Sequence, residues 1–337
     1  MSLPAVLNLI GDRLYSLPLG IVYLTDKCNS KCVTCDYWRY GQTFLSAERA
    51  RALAAEFDRL DTRTVLLSGG EPLLHPQWAE RARTLAGGRR KLWLLTAGLA
   101  LTKYADPAVE LCDTITVSLD GATPETYLAI RGVDAFDAVC GGIRAVVRRG
   151  VKVTLRCTVQ RRNYRELRQL ISLARDLDVH EISFLAVDVL THAAFARRED
   201  VSRELALSVD DLPVFDQILN RLSSDFSNEF CSGFIAESPA KLRRLHQYFA
   251  ALNGLARFPL VRCNAQQFST VFGADGRVQP CYFIKGQLAE GSGQDVNSPE
   301  LIGLRKEIRV GNRSECKTCV CSMYTGVKAM TFESPMR

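Results

Sequence analysis

The chain has 337 residues, 47% of them hydrophobic and 24% charged, which is enough apolar content for one large or two modest cores and too much for a disordered protein. A net charge of +6 is spread along the sequence, against the clustered basic face of a nucleic-acid binder. No apolar run reaches the roughly 20 residues that span a bilayer, so a membrane span is not expected and a cytoplasmic location is.

From Gly20 to about Val187, short β-rich runs alternate with amphipathic helical ones. Strands are predicted at Ile21 to Leu24, Thr64 to Leu67, Lys91 to Leu95, Thr114 to Leu119, Val151 to Val159 and Glu181 to Val187. Between them, Ser46 to Leu60 reads as a helix capped by Ser46, with Leu53, Phe57 and Leu60 on one face. Ala135 to Arg149, stopped by Gly150, and Arg165 to Leu177 repeat the pattern. Such β-then-α units imply a parallel sheet buried on both faces, hence an α/β barrel, complete or partial, or a doubly wound sheet. Residues 209 to 254 read as helical. Beyond them comes a hairpin: Phe268 to Phe272, a turn at Ala274-Asp275-Gly276, then Arg277 to Tyr282. The expected division is 1–225 for the barrel, 226–262 for a helical linker and 263–337 for a small domain. That last part is too Gly/Ser-rich to hold a large core, and a bound metal is expected to stabilise it.

Twelve cysteines are too sparse for a disulfide-stapled miniprotein and many for an ordinary enzyme of a reducing compartment. Cys28, Cys32 and Cys35 are bunched in a C-x3-C-x2-C loop directly after the first predicted strand, at the barrel face where chemistry is built. Three thiolates from one loop can hold three irons of a cubane and leave the fourth open to a small molecule; a zinc site is the alternative. Cys263, Cys281, Cys316 and Cys319 supply four more thiols, with Cys321 competing with Cys319. Cys112, Cys140 and Cys157 stand among apolar neighbours and read as packing. Cys231 lies in the loop-like Glu229-Phe230-Cys231-Ser232-Gly233 stretch and is a candidate hydrogen-atom donor.

Several further motifs stand at successive strand ends. Ser68-Gly69-Gly70-Glu71-Pro72 follows the second strand, Thr96-Ala97-Gly98 the third, and Ser118-Leu119-Asp120-Gly121 the fourth, with Ile130-Arg131-Gly132 downstream and Arg156 on the fifth. With the cysteine loop, these resemble the radical S-adenosylmethionine (radical SAM) superfamily. The resemblance implies a partial (βα)6 TIM-like barrel with a [4Fe-4S] cluster on Cys28, Cys32 and Cys35. It implies S-adenosylmethionine contacts from Gly69, Gly70, Glu71, Pro72, Thr96, Ser118, Asp120 and Arg156, the glycines admitting the methionine moiety and Glu71 receiving its amino group. Thr34 replaces the usual large residue before the third cysteine, which leaves Tyr37 or Trp38 to pack near adenine.

Cys263-x17-Cys281 with Cys316-x2-Cys319 is similar to the shortened, single-cluster form of the SPASM domain, called twitch, and implies one auxiliary [4Fe-4S] cluster; structural zinc is the alternative. The implied chemistry is reductive cleavage of S-adenosylmethionine to a 5'-deoxyadenosyl radical that abstracts hydrogen from a substrate. Only about twenty residues precede the first strand, which favours a small metabolite such as a sugar or aminocyclitol, undergoing dehydrogenation or epimerisation. Peptide or tetrapyrrole modification is the alternative within the superfamily, and a non-catalytic iron-sulfur or zinc module the alternative outside it. A flavodoxin or ferredoxin is the implied electron donor, with Arg161, Arg162 and Arg165 as a docking stretch.

Overall fold

The computed structural model describes residues 3–191, 194–197, 202–260, 262–288 and 295–321. Six strands, β1 (Leu19–Thr25), β2 (Thr64–Gly69), β3 (Lys91–Thr96), β4 (Thr114–Ser118), β5 (Lys152–Val159) and β6 (Glu181–Ala186), coincide within a few residues with those expected. All pair in parallel with their sequence neighbours, in the order β6-β5-β4-β3-β2-β1. Two of the connecting helices begin at side-chain caps. Ser46 Oγ accepts from Arg49 N–H ahead of Ala47–Arg59, and Thr123 Oγ1 from Thr126 N–H ahead of Pro124–Arg131.

The strands divide the apolar residues between two cores. Outward side chains such as Val22, Leu67, Leu94, Val117, Leu155 and Phe184 join the helices in one large core. Inward ones, Leu19, Ile21, Leu66 and Trp93, plug the lower lumen together with Phe268 and Val271. Alternation along β5 puts Arg156 on the inner face and Cys157 in the outer core, fully buried. Cys112 and Cys140 are buried in the same outer core, as their apolar context implied.

The C-terminal hairpin is part of the same sheet. β7 (Ser269–Phe272) pairs in parallel with β1, from Leu19↔Ser269 to Val22↔Phe272, and β8 (Arg277–Gln279) and β9 (Gln287–Leu288) follow antiparallel. Among the described residues the sheet therefore has nine strands and continues beyond residue 263. Its other edge is covered by residues 234–236, where Ile182 N–H donates to Phe234 O and Ala236 N–H to Ile182 O. The segment expected to be helical resolves into Leu212–Asp225, Ser227–Ser232 and Pro239–Leu252.

Cys231 is not in a loop. It lies in the helix Ser227–Ser232, and the glycine that suggested a loop, Gly233, is the left-handed C-cap (φ 79°). The thiol is exposed.

Candidate active site at the carboxyl ends of the strands

β1 carries a register irregularity between Tyr23 and Thr25, and the chain leaves the sheet there into the cysteine loop. Asp26 N–H donates to Thr43 O, and the Gly69-Gly70 turn presses against the loop from β2. Gly70 N–H donates to Thr25 O at 2.8 Å and Glu71 N–H to Lys27 O at 2.7 Å. A Cβ on Gly69 would stand 2.1 Å from Thr25 O, and one on Gly70 2.1 Å from Lys27 O. These two glycines thus admit the protein's own cysteine loop, a nearer use than the ligand approach expected from sequence.

Cys28, Cys32 and Cys35 lie close enough for their charges to couple. Burial pushes the Cys28 thiol up to about 12, with Glu71 and Cys32 adding to it. Burial does the same for Cys35, also to about 12, with Cys32 and Cys28 contributing. Buried sulfurs of this kind are stabilised as thiolates by a bound cation, which releases their protons. Among the described residues no three His, Cys, Asp or Glu side chains are arranged to hold a single metal ion. The fit to a polynuclear cluster rests on the donor set: three thiols on one loop, with Asn29 Oδ1 and Ser30 Oγ buried between them without a hydrogen-bond partner. These residues fit a [4Fe-4S] cluster.

Glu71 is fully buried. Its Oε1 accepts from Thr96 Oγ1 (2.8 Å) and Leu73 N–H (3.1 Å), and its Oε2 from Ala97 N–H (2.7 Å). Burial raises its pKa, and those three donors oppose the rise. Arg156 stands opposite Ser118 in the β4–β5 register, its guanidinium 6.0 Å from the Trp93 ring centroid and its Nε without a partner. Asp120 is engaged by protein on both oxygens, Oδ1 by Thr158 N–H (2.6 Å) and Oδ2 by Arg131 Nε (2.8 Å).

Other residues that meet around the site were not assigned from sequence. Arg131 Nη1 donates to Cys32 Sγ at 3.5 Å. Arg197 reaches Thr34 O with Nε (3.1 Å) and forms a buried ion pair with Asp188 (3.2 Å). Tyr282, next to Cys281, lies beside Ser68 and stacks on Tyr23, which in turn meets Tyr37 edge-on. Arg131 could have been found from the Arg-Gly pair that ends its helix; the others are joined only by the fold. His75 is a structural residue, its Nε2 3.0 Å from Leu45 O and its Nδ1 accepting from Gln77 N–H. His192 lies outside the described residues.

The C-terminal thiols also come together. Burial raises Cys281 to about 12 and Cys316 to about 11, and in both the charge of Cys263 adds to it. Cys319 is raised by burial and then by Cys321, Cys263 and Cys281. Burial raises Cys321 to about 12 as well; Arg156, Asp188 and Lys241 act on it together with Cys263, and it is itself the first charged neighbour of Cys319.

A parallel α/β half-barrel with a three-cysteine loop at the end of its first strand is the framework of a cluster-dependent barrel enzyme. The family model described as "Radical SAM superfamily" matches residues 22–199, more than half of the chain, and the chain belongs to that superfamily. It is 34% identical over 207 residues to a protein of Saccharolobus islandicus named "Probable GTP 3',8-cyclase", covering 58% of this chain and 66% of that one. It is 33% identical over 196 residues to the pre-heme d1 synthase of Dinoroseobacter shibae, covering 55% and 46%. The chain thus spans less than two thirds of either curated relative. SuiB of Streptococcus suis, solved bound to precursor peptide SuiA, superposes with a TM-score of 0.64 at 16% identity over 96% of this chain and 75% of SuiB. That likeness shows the fold. No helix among the described residues is long and apolar enough to cross a membrane.

Proposed function

We propose that this chain is a two-cluster radical SAM enzyme acting on a small-molecule metabolite. The three-cysteine loop at the end of β1, docked by the Gly70 and Glu71 N–H groups beside the buried Glu71 carboxylate, is the observation that carries this reading. The bound cluster and S-adenosylmethionine supply one-electron reductive cleavage and the means to take hydrogen from an unactivated C–H bond. The protein supplies the rest. Glu71 orients the amino group of S-adenosylmethionine, and Arg156 with Ser118 faces its carboxylate. Tyr23, Tyr37 and Tyr282 form an aromatic wall that excludes water between the cysteine loop and the C-terminal thiols.

A small substrate is supported by the name of the first curated relative, which refers to GTP; the name of the second, which refers to a heme, speaks for the tetrapyrrole alternative. The reaction we favour is dehydrogenation or epimerisation. The electron donor, a flavodoxin or ferredoxin, is assigned to the face where Val33 of the cysteine loop meets Arg161 and Arg162 around a cavity of about 340 Å³.

We assign an auxiliary [4Fe-4S] cluster to Cys263, Cys281, Cys316 and Cys319, with Cys321 as the rival for the fourth place. Anaerobic incubation with S-adenosylmethionine and dithionite is expected to yield 5'-deoxyadenosine; its absence would sink the enzymatic reading. Cys319→Ser is expected to lose about four irons per chain, one cluster's worth, and Cys321→Ser none. The reverse pattern would transfer the fourth ligand to Cys321.

A further inference from the structure

Resting on that reading, we propose that Arg131 is a positioning residue that sets the reduction potential of the cluster on Cys28, Cys32 and Cys35 by donating an N–H to the Cys32 sulfur. Asp120 moderates the effect by pairing the same guanidinium.

The geometry separates what the Arg131 backbone does from what its side chain does. The helix Pro124–Arg131 ends against the cysteine loop, where Lys31 N–H donates to Arg131 O (2.8 Å) and Val33 N–H to Ile130 O (3.1 Å). Gly132 continues in the left-handed region (φ 67°), and a Cβ there would stand 2.4 Å from Lys31 O. These main-chain contacts dock the helix and survive any change of the Arg131 side chain. The guanidinium adds something else, a charged donor 3.5 Å from Cys32 Sγ, with only 12% of the side chain exposed.

Reduction places one more negative charge on a cluster and its thiolates. A fixed cation and an N–H···S hydrogen bond, both shielded from water, favour that state, and such bonds are among the determinants of cluster potential. Asp120, 6% exposed and 2.8 Å from Nε, lies on the far side of the guanidinium and offsets part of its field. The two side chains therefore act with opposite signs on the same cluster. A strut that merely held the loop would give effects of one sign, since losing either partner would loosen it.

The test is an anaerobic redox titration of the reconstituted full chain, followed by the EPR signal that changes on adding S-adenosylmethionine. Arg131→Gln is expected to shift the reduction equilibrium at least about tenfold against reduction, about 59 mV for one electron. Asp120→Asn is expected to shift it the other way, and Arg131→Lys, which keeps the charge, to stay within a few-fold of the parent. Shifts of the same sign in Arg131→Gln and Asp120→Asn, or no shift in either, would overturn the inference. If Arg131→Gln fails to fold, the sign for Asp120→Asn decides: an unchanged or lowered potential overturns it. A parent chain with no cluster responsive to S-adenosylmethionine would remove the functional reading and this inference together, whereas a responsive cluster with unmoved potentials removes this inference alone.

Discussion

Arg197→Met is expected to lower the stability of the chain by about 3–5 kcal/mol, the usual cost of leaving one charge of a buried ion pair alone. Only 3% of the Arg197 side chain and 6% of the Asp188 side chain are exposed. Besides that pairing, the guanidinium donates to three backbone carbonyls, Thr34, Thr191 and Asp188. It thereby ties the segment after β6 to the residue beside Cys35, and Asp36 N–H adds a second tie to Phe195 O. Removing it should loosen the cysteine loop as well as the fold, so cluster loss to an iron chelator should accelerate. Anaerobic urea titration and the rate of iron release read the two effects separately. The double variant Arg197→Met, Asp188→Asn should recover part of the stability, because a neutral amide then replaces the carboxylate that the single change leaves uncompensated. Unchanged urea midpoints and iron release would contradict the clamp.

Glu71→Ala is expected to weaken S-adenosylmethionine binding by about 2–5 kcal/mol, the loss typical when one partner of a buried charge pair is truncated. The same change strips the acceptor from Leu73 N–H, Ala97 N–H and Thr96 Oγ1. Each buried donor left unpaired costs about 1–3 kcal/mol, so the melting temperature should fall as well. Glu71→Gln keeps the shape and loses the charge; it should bind weakly and melt closer to the parent. Binding measured by equilibrium dialysis distinguishes the two roles. Parent-like affinity in Glu71→Gln would remove Glu71 from the amino-group site.

The barrel was legible because its signals are local. The first four strands are short apolar runs closed by motifs, and Ser46 and Gly150 mark helix ends by their own chemistry. The cysteine loop and Glu71 were legible for the same reason, as contiguous residues at strand ends. The hairpin after Cys263 reads as a separate unit in the sequence because pairing with β1 spans about 250 residues and leaves no local trace. In the structure Ser269–Phe272 is buried throughout, as a strand covered on both faces must be, yet its first two residues are polar and do not announce that burial. The helical place of Cys231 is hidden because a glycine after a polar stretch serves equally as a loop residue and as a helix stop. The contacts of Arg131 with Cys32, across 99 residues, and of Tyr282 with Ser68 are products of the assembled barrel.

Iron counted per chain, in the parent and in a Cys28→Ala, Cys32→Ala, Cys35→Ala triple variant, both reconstituted anaerobically, tests the two-cluster assignment most directly. The parent should hold about eight irons, two four-iron clusters, and form 5'-deoxyadenosine on reduction. The triple variant should retain about four and form none. A parent with about four irons, or a triple variant that keeps its full complement, would contradict the two-cluster assignment.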